Sequence, residues 1–515
     1  MTPSSTLTAV DPRTGEPGES RPATPIAAID SLAAAAAAAF ADPALRDVAR
    51  RAHALRDVAA RLRADGERLR ARFQAESGLP AGRAAGELER TSGQLEAFAD
   101  VIEAGDQLEA IIDRADPQAV PIPRPDLRRM LVPIGPVAVF GASNFPFAFG
   151  VAGGDVAAAL AAGCPVLVKG HPSQPGVNAL VAEHVAAGIA SAGLPSATFA
   201  LVQGGSAELG AALVQAEPVR AVAFTGSTAG GRALFDVAAR RPLPIPVYAE
   251  MGSVNPIVVT AGAIAARGDA IAASLVTAVT GAAGQLCTKP GVVLVPAGAE
   301  GDAWCADVAE RLAASEPLVM LNERMRDALA TQLEQLARQG GVRADGAAPR
   351  PRGPGFRLSA AAYQVAASQL ARREELREER FGPFVLLARY GSDEELLATI
   401  ASFDGQLATG LHADAATERE LAARVADALA GRCGRLVFDG FPTGVAVSWA
   451  MQHGGPYPAT TAPGETSVGM TATRRFLRPV CWQDAPQALL PPPLRDANPA
   501  GIWRRVDGRL TRDGI

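Results

Sequence analysis

The sequence is poor in lysine and in cysteine. Of its 49 basic residues only Lys169 and Lys289 are lysines, and all the others are arginines. A coding bias toward arginine explains most of this, so each remaining lysine indicates a place where a compact, flexible ammonium is needed. The five cysteines are odd in number and scattered. That pattern argues against a disulfide framework or a zinc site, and it favours a reducing cytoplasm.

Other absences exclude whole classes of partner. The formal net charge is only −5 over 515 residues, which gives no electrostatic reason to expect nucleic acid or an anionic membrane. The first ten residues, MTPSSTLTAV, lack the charged-then-apolar pattern of a signal peptide. Residues 130–154 carry no charge and are long enough to span a membrane. The turn formers and the proline in GASNFP nevertheless favour a strand, a turn and a helix.

What the chain does contain is an alternation of short apolar runs and helical segments. Alanine-rich residues 25–104 are predicted to be helical, and a proline-rich ribbon follows them. The strands are then predicted at VAVFG, PVLVK, TFALVQ and VRAVAFTG, and in a second series at PIVVT, GVVLVP, FVLLARY and RLVFDG. Repeated βαβ units predict parallel sheets covered on both faces, in two α/β domains that meet near YAEMGSVNP. Residues 340–357 are predicted to form a surface loop.

Cys287 lies among small residues in GAAGQLCTKPG, which leave space for a ligand to reach its sulfur. A free thiol has a pKa of about 8.5 and is a weak nucleophile at neutral pH unless its thiolate is stabilised. Lys289, two residues away, is a candidate for that stabilisation. The alternative is a small buried core residue, which is the commoner role of a lone cysteine.

Glu250 and Asn144 each lie where a predicted strand ends, which is where ligands bind in open α/β sheets. Glu250, in YAEMGSVNP, enters an apolar place, so desolvation is expected to raise its pKa and suit it to general-base catalysis. Asn144, in FGASNFPF, could donate a hydrogen bond to a developing oxyanion. The alternatives are a solvated loop glutamate and an asparagine that caps the following helix.

Two further strand ends carry groups suited to a phosphate. Lys169 ends the strand PVLVK and is placed to meet a phosphate or a ribose. Gly226 and Ser227, in FTGSTAGG, form a strand-to-helix turn whose backbone amides could bind a pyrophosphate. None of these motifs is specific alone, and the chain contains no GxGxxG.

Taken in order, the motifs SNFPF, VLVKGHP, FTGST, EMGSVNP, GQLCTKPG and EERFGPFV resemble those of the aldehyde dehydrogenase superfamily over nearly the whole chain. The resemblance implies an aldehyde dehydrogenase-like α/β fold with two doubly wound domains and a small β oligomerisation element. It implies a Rossmann-like dinucleotide-binding domain of residues 1–118 and 135–249 and a catalytic domain of residues 250–441. Residues 119–134 and 465–490 would form the oligomerisation element and C-terminal tail, in a homodimer or a homotetramer.

The same resemblance implies roles for single residues. Cys287 would be the nucleophile, Glu250 the base that activates water, and Asn144 the oxyanion donor. A base at Glu250 argues against the family's coenzyme A-acylating branch. The positions expected to hold the nicotinamide dinucleotide are Lys169, Pro172, Ser173, Gly226, Ser227, Glu379 and Phe381. Phe145, Ser448, Gln452 and His453 are expected to border the substrate tunnel, and no metal site is implied.

The C-terminal sequence narrows the expected substrate. GRLVFDGFPTGVAVSWAMQHGGPYPATT resembles the branch of α-ketoglutaric semialdehyde (2,5-dioxopentanoate) dehydrogenases, which implies oxidation of 2-oxoglutarate semialdehyde to 2-oxoglutarate. Another aliphatic aldehyde or semialdehyde is the alternative. A thiol hydrolase is a remote rival, because none of the five histidines falls in an obvious triad motif. A non-catalytic binding protein is the other remote rival.

The expected cofactor preference rests on one departure from the family pattern. Members that prefer NAD commonly carry a glutamate three residues after the lysine at Lys169, where it would repel a 2′-phosphate. Here that position is Pro172, so the repulsion is gone, and Ser173 could donate a hydrogen bond. His171 could assist if it is partly protonated. NADP is therefore predicted to be preferred, with NAD as the weaker alternative.

Overall fold

The computed structural model describes residues 6–345 and 353–515. Residues 1–5, and residues 346–352 of the predicted surface loop, lie outside the described residues. The α-helices are α1 (Ile29–Ala41), α2 (Val48–Ala64), α3 (Gly66–Ser77), α4 (Ala81–Ala104), α5 (Gly154–Ala162), α6 (Pro175–Ser191), α7 (Ala207–Gln215), α8 (Thr228–Ala239), α9 (Ala261–Thr280), α10 (Ala299–Ala313), α11 (Glu323–Ala337), α12 (Ala367–Arg372), α13 (Asp393–Ala401) and α14 (Arg419–Ala430). The strands are β1 (Thr6–Val10), β2 (Pro17–Pro22), β3 (Ile111–Asp113), β4 (Leu127–Pro133), β5 (Val137–Phe140), β6 (Val166–Lys169), β7 (Phe199–Val202), β8 (Ala221–Thr225), β9 (Val247–Glu250), β10 (Ile257–Val259), β11 (Val292–Pro296), β12 (Leu318–Val319), β13 (Arg343–Ala344), β14 (Arg357–Leu358), β15 (Ala361–Ala366), β16 (Phe384–Tyr390), β17 (Gln406–His412), β18 (Cys433–Phe438), β19 (Leu477–Gln483), β20 (Arg504–Val506) and β21 (Arg509–Thr511).

The first sheet is parallel and has the order β7-β6-β5-β8-β9. Alternate residues of its central strands enter two separate cores, one beneath α2, α4, α5 and α6 and one beneath α1, α7 and α8. From β5 the chain moves outward to β6 and β7, and then returns to the other side of β5 at β8. Ligands bind at the carboxyl ends of strands beside such a reversal. That edge carries Asn144, Lys169, Ser227 and Glu250.

The second sheet has the order β13-β15-β16-β11-β10-β17-β18, and only β13 runs antiparallel to its neighbour. Successive residues of β11 point to opposite faces, where α9 and α10 cover one side and α11 to α14 the other. The first sheet ends at Glu250 and the second begins at Ile257, so the two sheets meet at the predicted YAEMGSVNP.

A third sheet, of order β19-β4-β3-β20-β21, lies outside both α/β units. The predicted element of residues 119–134 and 465–490 contains β4 and β19, which pair antiparallel over seven residues each. The sheet also includes β3 and the hairpin of β20 and β21, because three-residue strands give too short a pattern to be seen in the sequence. The N-terminal hairpin of β1 and β2 was likewise not predicted.

The charge-free residues 130–154 form the end of β4, then β5 and a series of buried turns. The strand and turn agree with the prediction, and the helix that follows them, α5, begins only at Gly154. One other segment, Ala261–Gly284, is long and apolar enough to cross a membrane by length and composition, with 39% of its most apolar window buried. In this structure its inner face packs against the second sheet and α10.

Candidate active site

Cys287 lies in a tight loop that follows α9. Ala282, Ala283 and Gly284 all have left-handed backbone conformations, with φ of 50°, 54° and 65°. A Cβ added at Gly284 would lie 2.2 Å from the carbonyl oxygen of Gly382, so this close approach of two backbones requires glycine. The small residues around the cysteine therefore serve the packing of its loop.

Asn255 fixes this loop, although the sequence analysis did not assign it a role. Its Nδ2 donates to the carbonyls of Cys287 at 2.8 Å and Lys289 at 3.0 Å. Its Oδ1 accepts from the hydroxyl of Ser253 at 2.9 Å and from the N–H of Ala408 at 3.2 Å. The side chain is fully buried, so a donor or acceptor left unpaired there would be costly.

The central feature of the site is a contact between Cys287, His453 and Glu250. His453 Nε2 lies 3.6 Å from the sulfur of Cys287 and 2.9 Å from Glu250 Oε1. The histidine is 1% exposed and the glutamate 4%. The sequence predicted that His453 lies on the substrate side, and it contains no triad motif around this histidine. A motif could not show the contact, because it joins residues far apart in the chain.

The charges in this cluster stabilise one another. Burial alone would lower the pKa of His453, but the charges of Glu250 and Cys287 and hydrogen bonds with both raise it well above its ordinary value. Burial alone would raise the pKa of Glu250. The His453 charge and hydrogen bonds from His453 and Ser467 outweigh this effect, so the net pKa of Glu250 is lowered. The expected rise is therefore corrected: Glu250 is ionised and faces an imidazolium.

Cys287, His453 and Glu250 also place three potential metal-ligand atoms within 4.8 Å of one another. The spacing of these residues in the sequence gives no sign of this arrangement. Within this cluster His453 and Glu250 neutralise each other as an ion pair. The sulfur of Cys287 is therefore the group that is available to react.

Asn144 is buried and close to the same loop, since its Nδ2 donates to the carbonyl of Gln285 at 3.1 Å. Gln285 in turn accepts the N–H of Leu321 through its Oε1 at 3.0 Å. The amide of Asn144 therefore lies two residues from the nucleophile candidate, and the backbone occupies it in this state.

Lys289 does not approach the sulfur, contrary to expectation. It is 3% exposed, and its Nζ donates to the carbonyls of Arg380 at 3.2 Å and Phe384 at 2.8 Å. Burial lowers its pKa to about 8, although the charge of Glu379 acts in the opposite direction. Lys289 thus anchors the segment that carries Glu379 and Phe381.

Glu379 lies between the cysteine loop and the first sheet. A Cβ added at Gly252 would lie 2.4 Å from Glu379 Oε2 and 3.1 Å from Thr228 Oγ1, so the missing side chain admits the carboxylate. Burial raises the pKa of Glu379 to about 7, which the charge of Lys289 and a hydrogen bond from the Ser253 backbone partly offset. Phe381 is half-buried beside it.

The start of α8 contributes exposed backbone amides. Ser227 caps the helix by accepting the N–H of Gly230 at 3.2 Å, and Gly226 donates its own N–H to the carbonyl of Glu250 at 3.0 Å. The helix is long enough for its N-terminal dipole to favour an anion. Together with the carboxylate admitted at Gly252, this arrangement fits a dinucleotide.

Lys169 and residues 171–173 lie at the end of β6. Burial lowers the pKa of Lys169 to about 8, and within the described parts of the chain its ammonium has no hydrogen bond or ion pair. His171 accepts the N–H of Ser173 through Nδ1 at 3.2 Å. Burial and the charges of Lys169 and Arg324 lower the pKa of His171 to about 3. His171 is therefore neutral, and the suggestion that it is partly protonated is corrected.

The predicted substrate residues divide into two groups. Phe145 packs edge to face on Phe149 at 5.3 Å, and Phe149 lies 6.3 Å from His453, so these rings border the cluster. Gln452 instead donates to the carbonyl of Glu465 at 2.8 Å. Ser448 is exposed. Arg90 and Arg435, which the sequence analysis did not single out, both interact electrostatically with Cys287.

Known proteins resemble this chain in sequence and in fold. Residues 1–456 match the sequence profile of the aldehyde dehydrogenase family. The chain is 44% identical over 507 residues to alpha-ketoglutaric semialdehyde dehydrogenase 2 of Azospirillum brasilense, covering 98% of this chain and 96% of the relative. It is 39% identical to alpha-ketoglutaric semialdehyde dehydrogenase of Acinetobacter baylyi, covering 94% and 92%. The crystal structure of betaine aldehyde dehydrogenase from Staphylococcus aureus in complex with NAD+ superposes with a TM-score of 0.80 at 19% identity, covering 94% of each chain. This last likeness shows the fold.

The contact between His453 and Cys287 predicts how the thiol reacts. In His453→Gln the sulfur loses a positive charge 3.6 Å away, so alkylation of Cys287 by iodoacetamide at pH 7 is expected to slow. A decrease of about tenfold or more is expected for a charge at this distance. The exposed Cys481 gives a background rate, which Cys287→Ala measures. Ser467→Ala is the control, because it keeps the imidazolium against the sulfur. An unchanged rate in His453→Gln would show that the imidazolium does not activate the thiol.

Proposed function

Because the chain belongs to the aldehyde dehydrogenase family, we propose that it oxidises 2-oxoglutarate semialdehyde (2,5-dioxopentanoate) to 2-oxoglutarate, with NADP or NAD as the oxidant. The cluster of Cys287, His453 and Glu250 carries the reaction type. The substrate is supported by two relatives of nearly full length that are named for α-ketoglutaric semialdehyde.

In the first half-reaction Cys287 attacks the aldehyde carbon. The positively charged imidazolium of His453 faces the sulfur at 3.6 Å, and the thiolate is the form of cysteine that attacks a carbonyl carbon. The carbonyl oxygen becomes an oxyanion as the carbon–sulfur bond forms. Asn144 exchanges its hydrogen bond to the Gln285 carbonyl for one to this oxyanion, which stabilises the thiohemiacetal.

A bound nicotinamide dinucleotide supplies the hydride acceptor that converts the thiohemiacetal to a thioester. In this chain the amides at Gly226 and Ser227 would bind its pyrophosphate, and Lys169 would meet its adenosine ribose or 2′-phosphate. Glu379 would accept from the other ribose, with Phe381 on the ring side. Lys289 holds the segment that carries Glu379 and Phe381 in place.

In the second half-reaction Glu250 takes a proton from water, whose oxygen attacks the thioester carbon. The carbon–sulfur bond breaks, the acid leaves, and Cys287 returns as a thiolate facing His453. The lowered pKa keeps Glu250 ionised at neutral pH, and its ion pair with His453 maintains its orientation. Ser467 supports the same carboxylate through its other oxygen.

The third sheet is the proposed surface for assembly into a homodimer or homotetramer. Val120 is 91% exposed and Ile122 is 72% exposed in the segment before β4, and Leu510 is 62% exposed in β21. Large apolar side chains exposed to this extent suit an interface between copies. The free cysteines, Cys164, Cys287, Cys305, Cys433 and Cys481, fit a reducing cytoplasm.

The substrate assignment predicts a ranking of aldehydes by kcat/KM. The expected order is 2-oxoglutarate semialdehyde first, then four- and five-carbon semialdehydes and glutaraldehyde, with acetaldehyde poor. Reduction of the cofactor, followed by its absorbance, gives the values, and Cys287→Ala should abolish turnover. A preference for acetaldehyde or for a bulky aromatic aldehyde would contradict the assignment. Ester hydrolysis without any aldehyde oxidation would instead favour a thiol hydrolase built on the same cysteine and histidine.

Replacement of Glu250 by Gln should separate the two half-reactions. Thioester hydrolysis is expected to slow by about 100-fold or more, because the base for water is lost. Mixing enzyme with saturating substrates should then give a burst of reduced cofactor equal to the enzyme concentration, followed by slow turnover. Ser467→Ala keeps the carboxylate and should slow turnover less. A slow reaction with no burst, when single-turnover acylation remains fast, would exclude Glu250 as the base.

We further propose that NADP is preferred over NAD. Lys169 presents an ammonium that lacks a partner in the described chain, and Arg324 adds a second positive charge near His171. Pro172 places no carboxylate beside these cations. An anionic 2′-phosphate would therefore meet attraction without repulsion.

Replacement of Pro172 by Glu tests this preference. The new carboxylate can accept from the ribose hydroxyls and repels a 2′-phosphate. The ratio of kcat/KM for NADP to that for NAD is expected to fall by about 10- to 100-fold. Pro172→Gln is the matched control, since it changes the backbone in the same way and adds no charge. A wild-type enzyme that clearly favours NAD would contradict the proposed preference.

A further inference from the structure

Arg90 on α4 carries a positive charge that no carboxylate of the described chain neutralises. Its guanidinium lies over the rings of Phe145 at 5.8 Å and Phe149 at 5.6 Å. Its Nε is buried without a hydrogen-bond partner, and neither an ion pair nor another hydrogen bond to this side chain is found within residues 6–345 and 353–515. A guanidinium stacked on aromatic rings is held in one orientation and keeps its donors available, so it can bind an anionic group.

The acidic groups nearest to Arg90 interact with other residues. Glu87 lies on the same face of α4, but it accepts from Arg83 Nε at 3.1 Å and from the N–H groups of Phe147 at 2.8 Å and Ala148 at 3.0 Å. Arg83 balances Glu87, which leaves Arg90 as the excess cation on this face. The other carboxylate that interacts electrostatically with Arg90 is Glu250, which forms an ion pair with His453.

The position of Arg90 relates it to the reacting sulfur. Its charge interacts with those of Cys287 and Glu250, and Phe149, over which it stacks, also contacts the ring of His453. A molecule that spans Cys287 and Arg90 must therefore be short. Arg435 is the other guanidinium that faces Cys287, but its Nη1 donates to the carbonyl of Gly444 at 2.5 Å and its Nη2 to that of Pro442. Of the two guanidiniums that face Cys287, Arg435 uses both of its terminal nitrogens in these bonds, whereas the terminal nitrogens of Arg90 have no partner in the described chain.

We propose that Arg90 binds the carboxylate at the far end of a short acidic semialdehyde while Cys287 attacks its aldehyde carbon. This proposal rests on the proposed function and adds the group that recognises the acid. A guanidinium can donate two parallel hydrogen bonds to a carboxylate, and the aromatic rings hold its plane fixed and exclude water. A neutral aldehyde of equal length gains neither hydrogen bond.

The test compares an acid with a neutral substrate in Arg90→Gln. For 2-oxoglutarate semialdehyde and succinic semialdehyde, kcat/KM should fall by about 10- to 100-fold, mainly through KM. For pentanal it should change by less than about twofold, because pentanal carries no group for Arg90. Arg90→Lys keeps the charge without the planar fork and should give an intermediate loss. Arg435→Gln is the matched control, and it should affect both kinds of substrate equally.

A binding measurement keeps the test independent of turnover. Glutarate has a carboxylate at each end, and it should protect Cys287 of the wild type from iodoacetamide but fail to protect Arg90→Gln. Equal losses for acid and neutral substrates, or protection that survives in Arg90→Gln, would overturn the assignment of Arg90. If the wild type itself oxidises pentanal better than either semialdehyde, the proposed function fails and the role of Arg90 fails with it. If the wild type prefers the acids and Arg90→Gln keeps that preference, only the role of Arg90 fails.

Discussion

The buried charge of Glu250 is the constraint on which the site depends. An ionised carboxylate removed from water must be compensated, and Glu250 is only 4% exposed at the end of the first sheet. Its compensation comes from the C-terminal segment, where His453 and Ser467 both contact it. The backbones of the two segments are also hydrogen-bonded, since the N–H of Met251 donates to the carbonyl of Ala459 at 2.8 Å. One buried charge thus brings the C-terminal segment back across the end of the sheet.

Cys287, which belongs to the second α/β unit, must also lie beside Glu250 and His453. Asn255 does this in the connection between the sheets, because it binds the carbonyls of Cys287 and Lys289 while its own backbone is held by the side chain of Gln406. Lys289 extends the same loop toward Glu379. The candidate nucleophile, the candidate base and the candidate ribose ligand are therefore positioned by one hydrogen-bonded network, with little freedom for any of them to move alone.

Parallel-sheet geometry explains what the sequence could predict. Lys169, Ser227 and Glu250 follow apolar runs of strand length, and the carboxyl ends of parallel strands meet at one edge. Local patterns could not show contacts between residues far apart in the chain. The sequence analysis therefore missed the contact of His453 with Cys287 and Glu250, and the hydrogen-bond donors of Arg90 that have no partner in the described chain. Proximity in sequence also misled: Lys289 is two residues from Cys287, yet its ammonium points to the 380–384 segment. The pKa of Glu250 was predicted with the wrong sign because burial was visible in the pattern and its partner was not.

A count of charges relates the cluster to an acidic substrate. In the resting site the imidazolium of His453 pairs with the carboxylate of Glu250, and Arg90 is left as an excess cation. A semialdehyde with one carboxylate neutralises that excess. In the proposed reaction the substrate's carboxylate stays opposite Arg90 when the thioester forms, so the acyl group remains bound for hydrolysis. Hydrolysis creates a second carboxylate next to the returning thiolate. Like charges at that distance repel in a site of low dielectric constant, so the step that completes the reaction also favours release of the diacid.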